Sequence, residues 1–120
     1  VWMRQQATDN EMFEYDAILC VANWPAPRRH PWRTLLQSRA IENLCYVMGV
    51  NRVGEDIKGL AYSGDSLLLD FKGEPLVDHS AYKAFVETAT VDLDSLNKFR
   101  EKFPAWQDSD RFELLPGVGH

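Results

Sequence analysis

Apolar positions along the chain fall into two short continuous runs separated by a stretch with helical spacing. Residues 16–22 (DAILCVA) are almost all apolar, which predicts a strand buried on both faces. From Pro31 to about Asn43 apolar side chains recur every three or four positions, which predicts an amphipathic helix. Pro31 suits its first turn, where the missing N–H costs nothing. The run at 45–52 (CYVMGVNR) predicts a second strand, so the order indicates a βαβ-like unit of an α/β fold.

The second half of the chain predicts shorter extended elements. Residues 53–59 contain two glycines among charged residues, which predicts a loop. Residues 66–78 predict two strands joined by a turn at Lys72 and Gly73, where glycine supplies a positive φ. Residues 83–91 (KAFVETATV) have strand composition and predict a further extended segment.

A second helix is predicted after Asp92 or Asp94, either of which can cap its first turn, and Pro104 ends it. Its apolar face consists of Leu96, Phe99 and Phe103. The tail beyond it carries further large apolar side chains, namely Trp106, Phe112, Leu114 and Leu115. Because such side chains are costly to leave in water, we expect the tail to pack on another part of the protein or on a second chain.

Between the first strand and the first helix lies an aromatic corner, residues 21–32 (VANWPAPRRHPW), with three prolines and two tryptophans. Pro25 and Pro27 restrict φ at their own positions and the conformation of the residues before them. A rigid aromatic corner at the end of a strand is typical of the border of a functional site. A packing role for Trp24, as a core aromatic at a strand end, is the alternative.

Charge and composition exclude some classes of function. The chain has 120 residues, 45% hydrophobic and 26% charged, which is an ordinary globular balance. Its formal net charge is −5, the excess acid lies in the second half, and no basic stripe is present, so nucleic acid is not an expected partner. No apolar run approaches the ~18 residues of a membrane span. We expect a soluble cytoplasmic protein without a membrane partner, and the start at Val1 suggests a fragment.

Two cysteines are the candidate nucleophiles. Cys20 and Cys45 each lie inside an apolar run, without a CxxC spacing or a neighbouring histidine. Burial in such a run raises a thiol pKa and suppresses attack, whereas a nucleophilic thiolate needs a base or positive charge beside it. Both cysteines are therefore predicted to be free structural thiols.

The remaining candidate groups predict no metal site. His30, His79 and His120 show none of the spacings typical of metal ligands, so no metal is expected. The SGDS stretch at 63–66 lacks the context of a nucleophilic serine elbow and predicts a tight turn entering a strand. The RAIEN stretch at 39–43 is either a solvated, salt-bridged helix face or a polar cluster at a domain or subunit contact.

Three stretches, in this order, resemble the second half of a nitrilase-superfamily carbon–nitrogen hydrolase. They are YDAILCVANWPAPRRHPWRTLLQSRAIENLCYVMGVNRVG from Tyr15, YSGDSLLLDFKGEPL from Tyr62 and FREKFPAWQD from Phe99. They are most similar to the bacterial omega-amidase-like branch, in which Ala-Asn-Trp-Pro, Arg-Ala-x-Glu-Asn, Asn-Arg-Val-Gly and Gly-Asp-Ser recur in this order. One departure is His30-Pro31-Trp32, where relatives tend to have His directly before Trp.

The resemblance implies a fold and a site. The fold is the C-terminal half of an αββα sandwich, with a mixed sheet and helices on one face, and residues 1–120 are part of a single domain without an internal boundary. In this family a Cys nucleophile, a Glu base and an oxyanion-stabilising Lys cleave amides. Neither Cys20 nor Cys45 has the family's Asp-x-Arg-Phe-Pro sequel, so all three groups are expected before Val1. The family's strand end faces the pocket, so Asn23 and Trp24 are the expected substrate-binding residues.

The function implied by the resemblance is that of an omega-amidase-like enzyme. It would hydrolyse a small carboxylate-bearing amide to acid and ammonia through a Cys thioester, with no cofactor. The 120-residue chain alone is expected to be inactive. Half of a sandwich leaves a sheet face without its partner, so we also expect a homo-oligomer.

Two other functions stay open. The first is a naturally short, catalytically dead homologue that acts as a binding or assembly module. The second is a small thiol enzyme that uses Cys20 and His30, which is disfavoured because Cys20 lies in an apolar run without an activating group.

Overall fold

The computed structural model of the chain describes residues 13–104 and 115–117. Within these residues it contains two α-helices and six strands in an α/β arrangement. In chain order they are β1 (Ala17–Ala22), α1 (Arg29–Asn43), β2 (Tyr46–Asn51), β3 (Val53–Glu55), β4 (Ala61–Ser63), β5 (Leu67–Leu69), β6 (Pro75–Asp78) and α2 (Leu93–Lys102). A short 3₁₀ turn, Ala26–Arg28, joins β1 to α1.

Four of the strands form one mixed sheet in the order β1-β2-β5-β6. β1 and β2 are parallel and connected through α1, which confirms the predicted βαβ unit. β5 runs antiparallel to β2, and β6 runs antiparallel to β5. The hairpin of β3 and β4, which lies between β2 and β5 along the chain, forms a separate two-stranded sheet. The carboxyl ends of β1 and β2 therefore lie at the same edge of the sheet as the amino end of β5.

The hydrophobic core lies between α1 and one face of this sheet. The buried residues that form it are Ile18, Trp32, Leu36, Ala40, Cys45, Val47, Leu67 and Leu69. Alternate side chains of the strands point to the opposite face, as strand geometry requires. The core is thus one helix packed on one layer of strands.

The other face of the sheet is open over part of its area. Leu19 and Val21 on β1 are 63% and 75% exposed, and Met48 and Val50, their register partners on β2, are also exposed. The prediction that the first strand is covered on both faces is therefore wrong for the described residues. A continuous apolar run reports that both sets of side chains are apolar, but it cannot show that both are covered within the same segment.

Gly49 on β2 permits the close approach of α1 to the sheet. A Cβ at this position would lie 2.5 Å from Leu36 Cδ1 and 3.0 Å from Trp32 Cζ2. Both atoms belong to buried side chains, which have little room to shift. The sequence pattern placed a strand here, and the structure shows why its middle residue carries no side chain.

The second helix anchors the opposite end of the sheet, before β1 and β2 begin. Arg100 is 5% exposed and donates from Nε to the carbonyl oxygen of Leu44 at 2.9 Å and from Nη1 to Asp16 Oδ1 at 2.7 Å. Of the two predicted caps, Asp92 is the N-cap, and its carboxylate accepts hydrogen bonds from the backbone N–H groups of Asp94 and Ser95. The helix position predicted from its apolar face and from Pro104 is confirmed.

Two predicted elements differ from the structure. Residues 53–59, predicted as a loop, begin with β3, and the Asp56 carboxylate closes the hairpin by accepting from the N–H groups of Lys58 and Leu60. Residues 83–91, predicted as extended, have no regular secondary structure and pair with no strand of the described residues. The predicted strand pair at 66–78 is confirmed, with Gly73 at a φ of 78° in the turn. Most of the aromatic tail and residues 1–12 lie outside the described residues.

We expect Gly49→Ala to lower the free energy of unfolding by about 1–3 kcal/mol, because the added methyl group overlaps buried side chains. Urea denaturation of the full-length protein measures the change. Combining it with Leu36→Ala, which removes the nearest atoms, gives a double-mutant cycle in which the two losses are less than additive. Additive losses would contradict the proposed overlap.

Candidate functional site

Three segments that are distant in the sequence meet at one edge of the sheet. They are residues 23–28 of the aromatic corner, which follow β1, Asn51 at the end of β2, and the turn at residues 63–66 before β5. The mixed strand directions bring them together, since two carboxyl ends and one amino end coincide there. In open α/β sheets such carboxyl-end edges are the usual place for ligand sites.

The corner after β1 is folded back on itself. Pro25 is extended, with φ −72° and ψ 150°, and its carbonyl oxygen accepts from the N–H of Arg28 at 3.0 Å. The indole N–H of Trp24 donates to the carbonyl oxygen of Arg28. The Trp24 ring also packs on Trp32, with 5.7 Å between the ring centroids. The first tryptophan of the corner is thus held at both its ring face and its ring N–H.

Asn51 fixes the backbone of the corner. Its Oδ1 accepts from the N–H of Trp24 at 2.8 Å, and its Nδ2 donates at 2.9 Å both to the carbonyl oxygen of Trp24 and to that of Gly64. The Ser66 hydroxyl accepts from the Asn51 N–H at 2.9 Å and donates to the Asn51 carbonyl oxygen at 3.2 Å. The Asn51 side chain therefore continues the hydrogen bonding of the sheet beyond the last residues of β1.

Asp65 is the charged centre of the edge. Its side chain is 0% exposed. Its carboxylate accepts from Arg29 Nη2 at 2.8 Å and Nε at 3.1 Å, from Arg33 Nη1 at 3.1 Å and from Ser63 Oγ at 2.6 Å. Its backbone oxygen accepts from the indole N–H of Trp32 at 2.8 Å. Two arginines four apart on α1 therefore hold the turn before β5 against the helix.

Opposing effects act on the pKa of the Asp65 carboxyl. Burial works to raise the pKa, but the hydrogen bonds from Arg29 and Ser63 and the Arg29 charge outweigh it, so the pKa lies below its usual range. Arg33 also binds Asp78, with Nη2 to Oδ2 at 2.6 Å, and this pairing raises the pKa of the Arg33 guanidinium. Asp65 is ionised at neutral pH and stabilises the folded state as an anion.

The sequence predicted two substrate-binding residues, and the structure places both at this edge. Asn23 is exposed, and Trp24 is partly buried against Trp32. Their contact with a substrate stays a prediction.

Of the two predicted structural thiols, Cys45 is fully buried, and burial raises its thiol pKa to about 12. Cys20 is partly buried on β1.

The other candidate groups lie in ordinary structural roles. His30 is exposed, His79 bonds Glu87 at 2.6 Å, and His120 lies outside the described residues. Arg39 and Glu42 of the RAIEN stretch form an ion pair at 2.9 Å on α1, as the salt-bridged interpretation predicts. A contact of this stretch with another domain or subunit stays a prediction. In the described part of the chain no group of three or more His, Cys, Asp or Glu side chains is arranged to hold a metal ion.

Sequence reasoning missed Asp65 and Asn51. The SGDS stretch is a turn, as predicted, but its aspartate is buried and takes a φ of 56°, which few residues other than glycine adopt. One signal in the sequence could have indicated Asp65, namely the pair Arg29 and Arg33, which share a helix face and need an acidic partner. Nothing in the local sequence of Asn51 signals its role, because its partners are 13 and 27 residues away.

A cavity of about 630 Å³ lies on the open face of the sheet, between β2, β5 and residues 83–89. Its lining is mainly apolar, with side chains such as Met48, Val50, Leu68 and Val77. Neither of the two described helices has the length and apolar character required to cross a bilayer. Polar residues also line the cavity, among them Asn51 and Ser66, so the cavity adjoins the polar edge of the sheet.

Comparison with known sequences decides the family. The family whose members are described as carbon-nitrogen hydrolases matches residues 6–101. The chain belongs to the carbon–nitrogen hydrolase family. The resemblance expected from the Ala-Asn-Trp-Pro, Arg-Ala-x-Glu-Asn and Gly-Asp-Ser stretches is thereby confirmed.

Relatives of this carbon–nitrogen hydrolase chain include two amidases. It is 46% identical to omega-amidase YafV of Escherichia coli K12 over 114 residues, which cover 95% of the chain and 42% of that protein. It is 32% identical to the 2-oxoglutaramate amidase of Bacillus subtilis over 107 residues, covering 89% of the chain and 39% of that protein. The chain thus spans less than half the length of these relatives.

A solved structure shows the same fold. The crystal structure of XC1258 from Xanthomonas campestris, a CN-hydrolase superfamily protein with an arsenic adduct in its active site, superposes with a TM-score of 0.88 at 43% identity. The match covers 92% of this chain and 42% of that one. The expected nitrilase-superfamily α/β fold with a mixed sheet is confirmed.

We expect Asp65→Asn to lower the free energy of unfolding of the full-length protein by about 2 kcal/mol at pH 7, because the arginines lose their anionic acceptor. A carboxyl whose pKa is lowered on folding contributes stability above its unfolded pKa of about 3.9, and loses it as the pH falls through the folded pKa. The difference between wild type and variant should therefore be constant from pH 7 to 5 and shrink below about pH 4. Denaturation series at several pH values measure it.

The control for this pH series is Glu101→Gln, a neutralisation on the exposed surface of α2. Its difference from wild type should stay small throughout. A difference for Asp65→Asn that grows as the pH falls would contradict the ionised, arginine-bound carboxylate.

Asn51→Asp tests the hydrogen-bonding role of the amide. The substitution replaces the Nδ2 donor by a second oxygen that faces the carbonyl oxygens of Trp24 and Gly64. We expect a loss of about 1–3 kcal/mol in the free energy of unfolding and a changed tryptophan emission spectrum. Asn97→Asp, on the exposed face of α2, is the matched control and should change neither. An unchanged emission spectrum in Asn51→Asp would contradict the anchoring of Trp24.

Proposed function

We propose that the full-length protein is an omega-amidase-like enzyme that hydrolyses a small carboxylate-bearing amide to the acid and ammonia. The observation that carries the proposal is the 46% identity to omega-amidase YafV, which extends over 95% of the chain. The relationship to a 2-oxoglutaramate amidase supports the same substrate class. The match to a carbon–nitrogen hydrolase family supports the reaction type.

In this proposal the described segment builds one wall of the pocket and does not supply the reacting groups. The nucleophilic Cys, the Glu base and the Lys come from the rest of the protein. The thiolate attacks the amide carbonyl, ammonia leaves, and water hydrolyses the thioester with the Glu as base. The raised pKa of the Cys45 thiol supports this division, because a thiol with a pKa of about 12 is protonated at neutral pH.

The corner supplies shape and position for the substrate. Asn23 and Trp24 line the acyl side of the pocket in this proposal, at a sheet edge that Asn51 and Asp65 keep rigid. Rigid placement of the pocket wall counts in catalysis because reacting atoms must be held within a fraction of an ångström. The exposed side chain of Asn23 is free to contact a ligand at this edge.

The open apolar face of the sheet supports an accompanying expectation. An exposed face bearing Leu19, Val21, Met48 and Val50 is seldom left in water. We propose that the rest of the protein or a second copy of it covers this face, in keeping with a homo-oligomer. A catalytically dead assembly module remains the alternative to the enzyme, and the activity assay separates the two.

The assay measures ammonia release from 2-oxoglutaramate by the purified full-length protein. We expect turnover by the full-length protein and none by residues 1–120 alone. Cys20→Ala in the full-length protein should keep the activity within about threefold, because Cys20 packs on the α1 side of the sheet and performs no chemistry.

Two results would contradict the proposal. A folded full-length protein that releases no ammonia from 2-oxoglutaramate or from other short omega-amides is not an omega-amidase. Loss of activity on Cys20→Ala, with an unchanged melting temperature, would place the nucleophile inside this segment.

A further inference from the structure

We propose that the Arg28 guanidinium binds the free carboxylate of the amide substrate and so selects carboxylate-bearing amides. The inference rests on the proposed amidase function and assigns the group that recognises the charged end of the substrate. It depends on how the positive charges of the corner are distributed.

Positive charge is concentrated where the corner leads into α1, although the protein as a whole is acidic. Three arginines, Arg28, Arg29 and Arg33, lie within six positions, although the whole chain has only 13 basic against 18 acidic residues. Two of them are matched by carboxylates of the chain. Arg29 binds Asp65, and Arg33 binds both Asp65 and Asp78. Asp65 and Asp78 therefore neutralise two of the three guanidinium groups, and the third keeps its charge.

The unmatched charge is that of Arg28. Among the described residues its guanidinium forms neither an ion pair nor a hydrogen bond, whereas its backbone N–H and carbonyl oxygen are both engaged. The side chain is exposed to solvent. It is thus a cation available to an anion from outside this part of the chain.

The backbone of Arg28 is fixed relative to the predicted pocket residue. Its carbonyl oxygen accepts from the Trp24 indole N–H, and its N–H bonds the carbonyl oxygen of Pro25. Asn51 in turn holds the backbone of Trp24 through both its N–H and its carbonyl oxygen. The unmatched guanidinium therefore extends from a fixed backbone beside Trp24, so only its own side chain has to be ordered when it binds.

The chemistry of the substrate matches this group. An omega-amide that carries a carboxylate has one permanent negative charge at the end opposite the scissile bond. A guanidinium binds a carboxylate through two parallel N–H···O bonds, which fixes orientation as well as charge. The same contact exists before and during the reaction, so its loss should raise KM more than it lowers kcat.

The test compares two amides of equal carbon number on the full-length protein. Succinamate carries a carboxylate where butyramide carries a methyl group. We expect Arg28→Gln to lower kcat/KM for succinamate on the order of 10- to 100-fold, mainly through KM, and to leave butyramide hydrolysis unchanged. Arg28→Lys keeps the charge but not the paired N–H geometry, and should recover part of the loss.

Two further measurements make the test specific. The inhibition constant of succinate, which needs no turnover of the neutral amide, should rise in Arg28→Gln and less in Arg28→Lys. Arg39→Gln is the control, since Arg39 lies on α1, beyond the turn that holds Arg28, and is paired with Glu42. It should change the kinetic constants of neither substrate. Melting temperatures of all variants check that the fold is kept.

The outcomes separate this inference from the proposed function. If wild type hydrolyses succinamate and Arg28→Gln does so equally well, the inference is wrong and the amidase function stands. Equal losses on succinamate and butyramide would show that Arg28 only shapes the corner, which also overturns it. If the folded wild-type protein hydrolyses neither succinamate nor 2-oxoglutaramate, the proposed function fails and the inference fails with it.

Discussion

The carboxylate of Asp65 lies out of water between the first helix and the turn that enters β5, and its charge is tolerated only because two arginines of that helix surround it. Removing a carboxylate from water costs several kcal/mol unless charged donors replace the water. The backbone oxygen of the same residue accepts a hydrogen bond from the Trp32 indole N–H. One residue therefore fixes both how closely α1 packs against this turn and where the first aromatic ring of α1 lies. The packing of Trp24 on Trp32 then carries this constraint to the corner.

A second constraint acts on the corner independently of packing. The amide of Asn51 offers Trp24 one acceptor and one donor, as a neighbouring strand would, where the parallel ladder of β1 and β2 has ended. The corner can therefore leave the sheet direction, with Pro25 fixing the bend, without losing the hydrogen bonds of its backbone. Ion pairing through Asp65 and amide bonding through Asn51 together make an irregular segment rigid.

The elements that the sequence predicted well are those whose signal is local. The first helix was predicted from Pro31 to about Asn43 and extends from Arg29 to Asn43. Its signal, the capping aspartate at 92 or 94 and the turn at Gly73 each depend on spacing or on one residue type within a few positions. The hairpin of β3 and β4 was missed because the glycines that suggest a loop also suit a tight hairpin. Asp65 and Asn51 were missed as site residues because their role depends on partners 13 to 36 residues away, which no local pattern encodes. The apolar run placed Asn23 and Trp24 at the end of the first strand, whereas their role as substrate-binding residues followed from the family resemblance alone.

The hairpin of β3 and β4 leaves the sheet edge immediately after Asn51 and returns to it at Gly64, and these two residues are hydrogen-bonded to each other. Its ends are therefore closed by contacts that do not involve its tip, where Ile57 is fully exposed. Because the ends of the hairpin are held together in this way, a change in hairpin length does not change the geometry at Asn51 and Gly64. Insertions, deletions or a fluorescent label can thus be engineered at the tip, while the neighbouring corner keeps its shape.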